Sequence, residues 1–277
     1  MSGSLLLGAA APGHPARRPL RIPVTGLRRY ASALGLVLLW EAGSRAGLVS
    51  PRTIAAPSAI LASAWELTAT GELPGNLLVS LARVAAGFAI GTTAGVVLAS
   101  AAGLSRLGED LVDAPMHMLR TLPFLALVPL FILWFGIGEV PKVALVALGA
   151  TFPVYLNLFA GIRGVDPKLI EAARVFGLRG AALVRRVVLP GALPSLLVGL
   201  RYALGVSWLS LVVAEQVNAT AGIGHLINDA RDFLRTDVIV VGLLVYALLG
   251  LGADALVRWA ERRALRWRPT LVRGAAR

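Results

Sequence analysis

The chain of 277 residues contains no cysteine, which excludes disulfide staples, thiolate nucleophiles and cysteine-based metal sites. Histidine is nearly absent: His14, His117 and His225 stand far apart, and no HExxH or comparable ligand pair occurs. The sequence has no GxxxxGK[ST] loop, so it does not cradle ATP by that route. Charge is scarce, at 15% of residues, where soluble domains carry about 25%. Alternation of the length that strands of a membrane barrel need is missing too. An integral-membrane enzyme would cluster His, Asp or Glu inside its apolar segments, and none cluster here. A secondary transporter would show internal repeats with paired broken helices, and no such repeat is evident.

What the chain has in abundance is apolar sequence, 57% of its residues, with a mean hydropathy of +0.75. Charges fall in clusters between long apolar segments, which is the pattern of an all-α, multi-pass membrane protein. A bilayer core takes about 20 apolar residues per helix. The segments near 30–48, 81–104, 122–135, 141–162, 193–214 and 238–259 give about six spans, the third fitting least well. Pro123 and Pro129 predict a bend in that third span, which can begin near Met116. A short amphipathic helix is expected around 60–67. Residues 1–26, rich in Gly, Ala, Pro and Arg, read as a disordered tail, and 269–277 as a second tail.

The net charge of +12 raises the question of nucleic acid, but its distribution argues for a membrane. The tail up to Arg29, the loops 105–121 and 163–190, and the end from Arg258 hold five, two, six and seven Lys or Arg. The opposite loops hold five in all: Arg45, Arg52, Lys142, Arg231 and Arg235. By the positive-inside rule both termini and the 163–190 loop face the cytoplasm.

That loop carries the densest punctuation. Asp166 is a good N-cap and Pro167 suits the first helical position. Leu169, Ile170, Ala173 and Phe176 share one face at helical spacing. Gly177 is placed for a left-handed stop. A second short helix follows, with Leu183, Val184, Val187 and Val188 on one side, Arg185 and Arg186 on the other, and Leu189-Pro190 as its expected end.

The spacing Glu171-Ala172-Ala173, Gly177, Val187, Leu189-Pro190 resembles the EAA loop of ABC-importer permeases, with Val187 in place of isoleucine. Further stretches resemble the sulfonate, taurine and nitrate branch of that family. They are Ser80-Leu81-Ala82-Arg83 with Gly87, Arg120-Thr121-Leu122-Pro123, and Leu133 to Gly138. Gly199-Leu200-Arg201 with Trp208, Ala214-Glu215, and Gly222-Ile223-Gly224 complete the set. The resemblance covers about residues 30–268. It implies a type I importer permease fold over 27–268 in the inner membrane, with no catalysis of its own. It also implies a separate ATPase subunit that binds ATP, an extracytoplasmic substrate-binding protein, and a second copy of the chain. Glu171, Ala172, Ala173, Gly177, Leu189 and Pro190 would then couple to the ATPase. The substrate would be an anion of the sulfonate, taurine or nitrate type, with a thiamine-precursor pyrimidine as the alternative. An energy-independent channel is the competing class, and it would leave the 163–190 loop without a partner.

Charges inside apolar segments are costly, at least about 2.5–3.5 kcal/mol for a central arginine. Arg201 therefore faces a substrate path or a structural partner such as Glu215 or Asp254, or it snorkels. Arg83 sits near the outer end of its span and can snorkel. Glu215 ends the fifth span, at a gate or as a solvated helix end. Arg201, Trp208 and Glu215 are the candidate pathway residues. Gly87, Gly91 and Gly95, four apart, predict close helix packing; Gly242, Gly250 and Gly252 repeat the theme less regularly.

Overall fold

The computed structural model describes residues 24–48, 50 and 53–265. The expected tails fall almost wholly outside these residues, although the first helix already begins at Val24. Eleven helices occur among the described residues: α1 Val24–Arg45, α2 Pro57–Ala69, α3 Glu72–Leu104, α4 Arg106–Arg120, α5 Phe124–Phe135, α6 Glu139–Arg163, α7 Pro167–Val175, α8 Gly180–Leu183, α9 Leu189–Asn218, α10 Ile223–Asp232 and α11 Thr236–Ala264. A π-helical turn, Val184–Val188, joins α8 to α9.

The core is a three-helix packing of α3, α6 and α9, with α6 the most buried. Glycine sets the distance between α3 and α6. A Cβ at Gly91 would lie 2.1 Å from the Ala147 carbonyl oxygen, and one at Gly87 would lie 2.6 Å from Val146. At Gly95 it would meet the Thr151 carbonyl at 2.8 Å. The four-residue glycine stripe is thus a groove into which α6 is pressed backbone to backbone. On α11 only Gly242 makes such an approach, to Ile227; Gly250 and Gly252 face open space.

Among the described residues four helical runs are long and apolar enough to cross a bilayer: α3, α6, the continuous run Gly180–Val217, and α11. The other two expected spans differ in kind. α1 is 22 residues long but carries Arg28, Arg29, Glu41 and Arg45, and Leu34, Leu36, Leu38 and Leu39 lie exposed on it. The third span is divided at 121–123, with Pro129 inside its second part. α5 has 12 residues, rising about 18 Å, which is short of the roughly 30 Å hydrocarbon core. Pro123 is the cause, because it disfavours helical geometry in the residue before it. Residues toward Met116 belong to a separate amphipathic helix, α4, which packs Met116 against Ala99, Ala102 and Tyr155. Tyr155 also donates to Asp113 of α4 at 2.9 Å, and Arg163 of α6 pairs with Glu109.

Candidate functional site

Two sites lie at opposite ends of the longest helical run. At one end is the turn between α7 and α8. The Asp166 side chain accepts from the Lys168 amide at 2.9 Å, with Pro167 in the first turn. α7 stops at Gly177, whose φ of +82° is left-handed. The Gly177 amide donates to Arg174 O, and the Leu178 amide to Ala173 O. This is a Schellman stop, and it satisfies carbonyls that would otherwise be bare.

The expected α7 face separates into two. Ala173 is buried and Ile170 packs on the core that contains Val165 and Val188. Leu169, Val175 and Phe176 are exposed, Phe176 at 85%. Glu171 and Ala172 are exposed beside them. Ala173 therefore seats the helix on its own chain, while Glu171, Ala172 and the apolar residues face outward.

Leu183, Val184, Val187 and Val188 turn inward to varying degrees, with Arg185 and Arg186 outside. Contrary to the sequence expectation, Leu189-Pro190 does not end this helix. The Leu189 amide donates to Val184 O, closing a π turn, and the chain runs on into α9. Pro190 lacks an N–H, and an ordinary α turn would set its ring against the carbonyl four residues back. The wider π turn relieves that conflict, so the helix continues past the proline.

At the other end of the run is a buried polar cluster. Arg83 of α3, 3% exposed, sends Nε and Nη2 to the Glu139 carboxylate at 2.5 and 2.7 Å. Its Nη1 reaches Glu215 of α9 at 2.7 Å and the Ala221 carbonyl at 2.6 Å. Glu215 is fully buried. It also accepts from Ser80, from the Gly224 amide at 2.8 Å and from the Tyr246 hydroxyl at 2.9 Å. Ser80 Oγ accepts from the Ile223 amide, and Asn76 accepts from the Gly222 amide. The unpaired amides at the start of α10 are thus met by side chains from α3 and α9. A Cβ at Gly222 or Gly224 would strike the Glu215 carboxyl or its Cβ at 2.4 Å.

Arg83 does not snorkel, and Glu215 is not a solvated helix end. Each neutralises the other inside the bundle, which is how a buried charge becomes tolerable. The sequence shows these two opposite charges near the outer ends of two apolar spans, but not that they meet.

The three candidate pathway residues are not brought together. Glu215 belongs to this cluster. Trp208 packs half-buried with Val84, Val146, Leu211 and Tyr246. Arg201 lies farther along α9 toward the α7 end and pairs with Asp254 of α11 at 3.2 Å. That is the structural partner considered from the sequence. An open groove of about 590 Å³ runs instead along another face, lined by Ile90, Phe131, Glu139, Val140, Val143 and Leu148 among others. Glu139, tied to Arg83, stands in its wall.

Residues 91–266 match the family described as "Binding-protein-dependent transport system inner membrane component". The chain belongs to this family. It is a multi-pass membrane permease of an ABC importer, in a family whose members work with an ATPase and a substrate-binding protein. The permease is 49% identical over 236 residues to a protein named as the aliphatic sulfonates transport permease SsuC of Escherichia coli (strain K12). That match covers 85% of this chain and 90% of the relative. It is 33% identical to the taurine transport system permease TauC of the same organism, over 92% of this chain and 95% of the relative. A solved structure described as an amino acid ABC transporter with histidines shares the fold, with a TM-score of 0.58 at 22% identity. It covers 72% of this chain and 96% of that one. The stretches that carried the resemblance, Ser80 to Arg83, Glu215 and Gly222 to Gly224, converge in the buried cluster.

Proposed function

We propose that this permease carries organosulfonate anions inward, and that the α7 turn transmits the work of a separate ATP-binding subunit. The single observation that supports the coupling role is the architecture of that turn. An outward surface of Leu169, Glu171, Ala172, Val175 and Phe176 is fastened to the chain by Ala173 and a Gly177 stop. It is joined through the π turn to a helix that reaches the far cluster. Glu171 pairs with a basic group in a groove of the ATPase, and closure of the ATPase on ATP shifts α7 as a rigid arm. Two copies of the chain face each other to form the path, closing the groove lined by Ile90 and Leu148. An extracytoplasmic binding protein delivers substrate, and both termini are cytoplasmic. The chain itself catalyses nothing and binds no cofactor. The names of the relatives at 49% and 33% identity support sulfonate-type cargo over the pyrimidine alternative.

The test is reconstitution in proteoliposomes with the partner ATPase and binding protein, scoring ATPase stimulation by sulfonates, taurine, nitrate and pyrimidines. A Cβ at Gly177 meets nothing within 4 Å, so Gly177→Asp strains only the backbone, by about 1–2 kcal/mol. The variant inserts normally and loses substrate-stimulated uptake. Full uptake in Gly177→Asp, or stimulation by pyrimidine alone, contradicts the reading.

A further inference from the structure

Two guanidiniums share one carboxylate where α9 and α11 meet. Asp254 receives Arg201 Nε on one oxygen and pairs with Arg258 through the other. One positive charge is left over. Among the described residues no further acceptor meets the terminal nitrogens of Arg201. The cluster is not sealed: the side chains of Arg201, Asp254 and Arg258 are 40%, 37% and 45% exposed. Tyr202 and Trp259 are exposed alongside.

Its depth can be counted along α11. From Val238, the first apolar residue after Asp237, Arg258 lies about 30 Å on at 1.5 Å per residue, which is the thickness of a hydrocarbon core. Arg258 therefore stands at the boundary of the core, and Asp254 lies one turn inside it. Trp259 marks the same level as an interfacial aromatic, with the Arg263 guanidinium 5.4 Å from its ring centroid. A surplus guanidinium exposed at this depth stands at the level of the lipid headgroups.

We propose that Arg201 and Arg258, held apart and oriented by Asp254, bind the phosphodiester of an anionic phospholipid in the leaflet on the α7 side. The charge matches one to one. A guanidinium fork suits phosphate oxygens, and acyl chains would lie along the exposed apolar face of α11, which includes Leu244, Leu248 and Leu251. That this leaflet is cytoplasmic rests on the orientation proposed above.

The experiment is native mass spectrometry of the full-length protein in detergent, titrated with phosphatidylglycerol or phosphatidylcholine. Both leaflets are accessible in detergent, so the result does not depend on orientation or on coupling. Phosphatidylglycerol is retained preferentially. Arg258→Gln lowers its retention about fivefold, as expected for one interfacial arginine. Arg262→Gln, which removes the same charge one turn on, leaves it unchanged. Arg258→Gln keeps the neutral Arg201–Asp254 pair, so it folds. The preference of the unmodified chain for one lipid over the other is in any case an independent reading. Equal retention of the two lipids, or of phosphatidylglycerol by Arg258→Gln and the unmodified chain, overturns the proposal. Displacement of the lipid by excess inorganic phosphate or taurine also overturns it, by showing a site for soluble anions.

Discussion

Arg83 and Arg201 are both arginines inside apolar helices, yet their surroundings differ. Arg83 is buried and spends its donors on Glu139, Glu215 and the Ala221 carbonyl. Arg201 is half-exposed and, among the described residues, pairs with Asp254 alone. Removing one partner of a buried pair strands a charge, at about 3–5 kcal/mol. Arg83→Ala therefore lowers the melting temperature in detergent sharply, or abolishes membrane yield. Arg201→Gln shifts it far less, and equal losses in thermal melts would contradict this ranking. Why Arg83 was misread from sequence is physical. Its two carboxylate partners are 56 and 132 residues away, and only packing of α3, α6 and α9 brings them within reach. By contrast Asp166 and Gly177 were legible, because capping depends on amides two to five residues away.

At the scale of elements, the glycine stripe of α3 was readable because its period and the small-residue rule are both local to the sequence. Its consequence is a steep contrast between positions. Gly91→Leu places a side chain where a carbonyl oxygen stands 2.1 Å from the Cβ, so α3 and α6 separate and folded protein is lost from the membrane fraction. Gly250→Ala enters open space. It gains about 0.5–1 kcal/mol of helix preference and yields protein as well as the unmodified chain does, by fluorescence-detected size exclusion. Two features were not legible. The division of the third span at 121–123 separates an amphipathic helix from a 12-residue apolar one, and hydropathy alone merges their ends. The π turn at 184–188 stands just before Leu189-Pro190, which reads as a helix stop because proline conflicts with an α turn, so the run into α9 was hidden.

For the whole molecule, the absence of cysteine gives a clean background for labelling. Val175→Cys, on the exposed side of α7, reacts with an impermeant maleimide in inside-out vesicles and not in right-side-out ones; the reverse would invert the topology. The same architecture ties the two ends together. The run from Gly180 to Val217 has 38 residues, about 57 Å at 1.5 Å per residue, and Glu215 lies two residues before its end. A stiff rod also has a phase. A π turn carries one residue more than the α ladder requires, so this rod holds a single unit of slack in length at 184–188 and none elsewhere. Deleting exposed Arg186 together with Pro190→Ala lets the turn collapse to α with both flanking faces unrotated, and the chain still associates with its ATPase. Deleting Val198 instead turns everything beyond it by about 100°, pulls Glu215 away from Arg83, and leaves no folded permease to recover. The fold therefore tolerates a change of length in one place, where the proline bends the hydrogen-bond rules, and is strict about it along the rest of the rod.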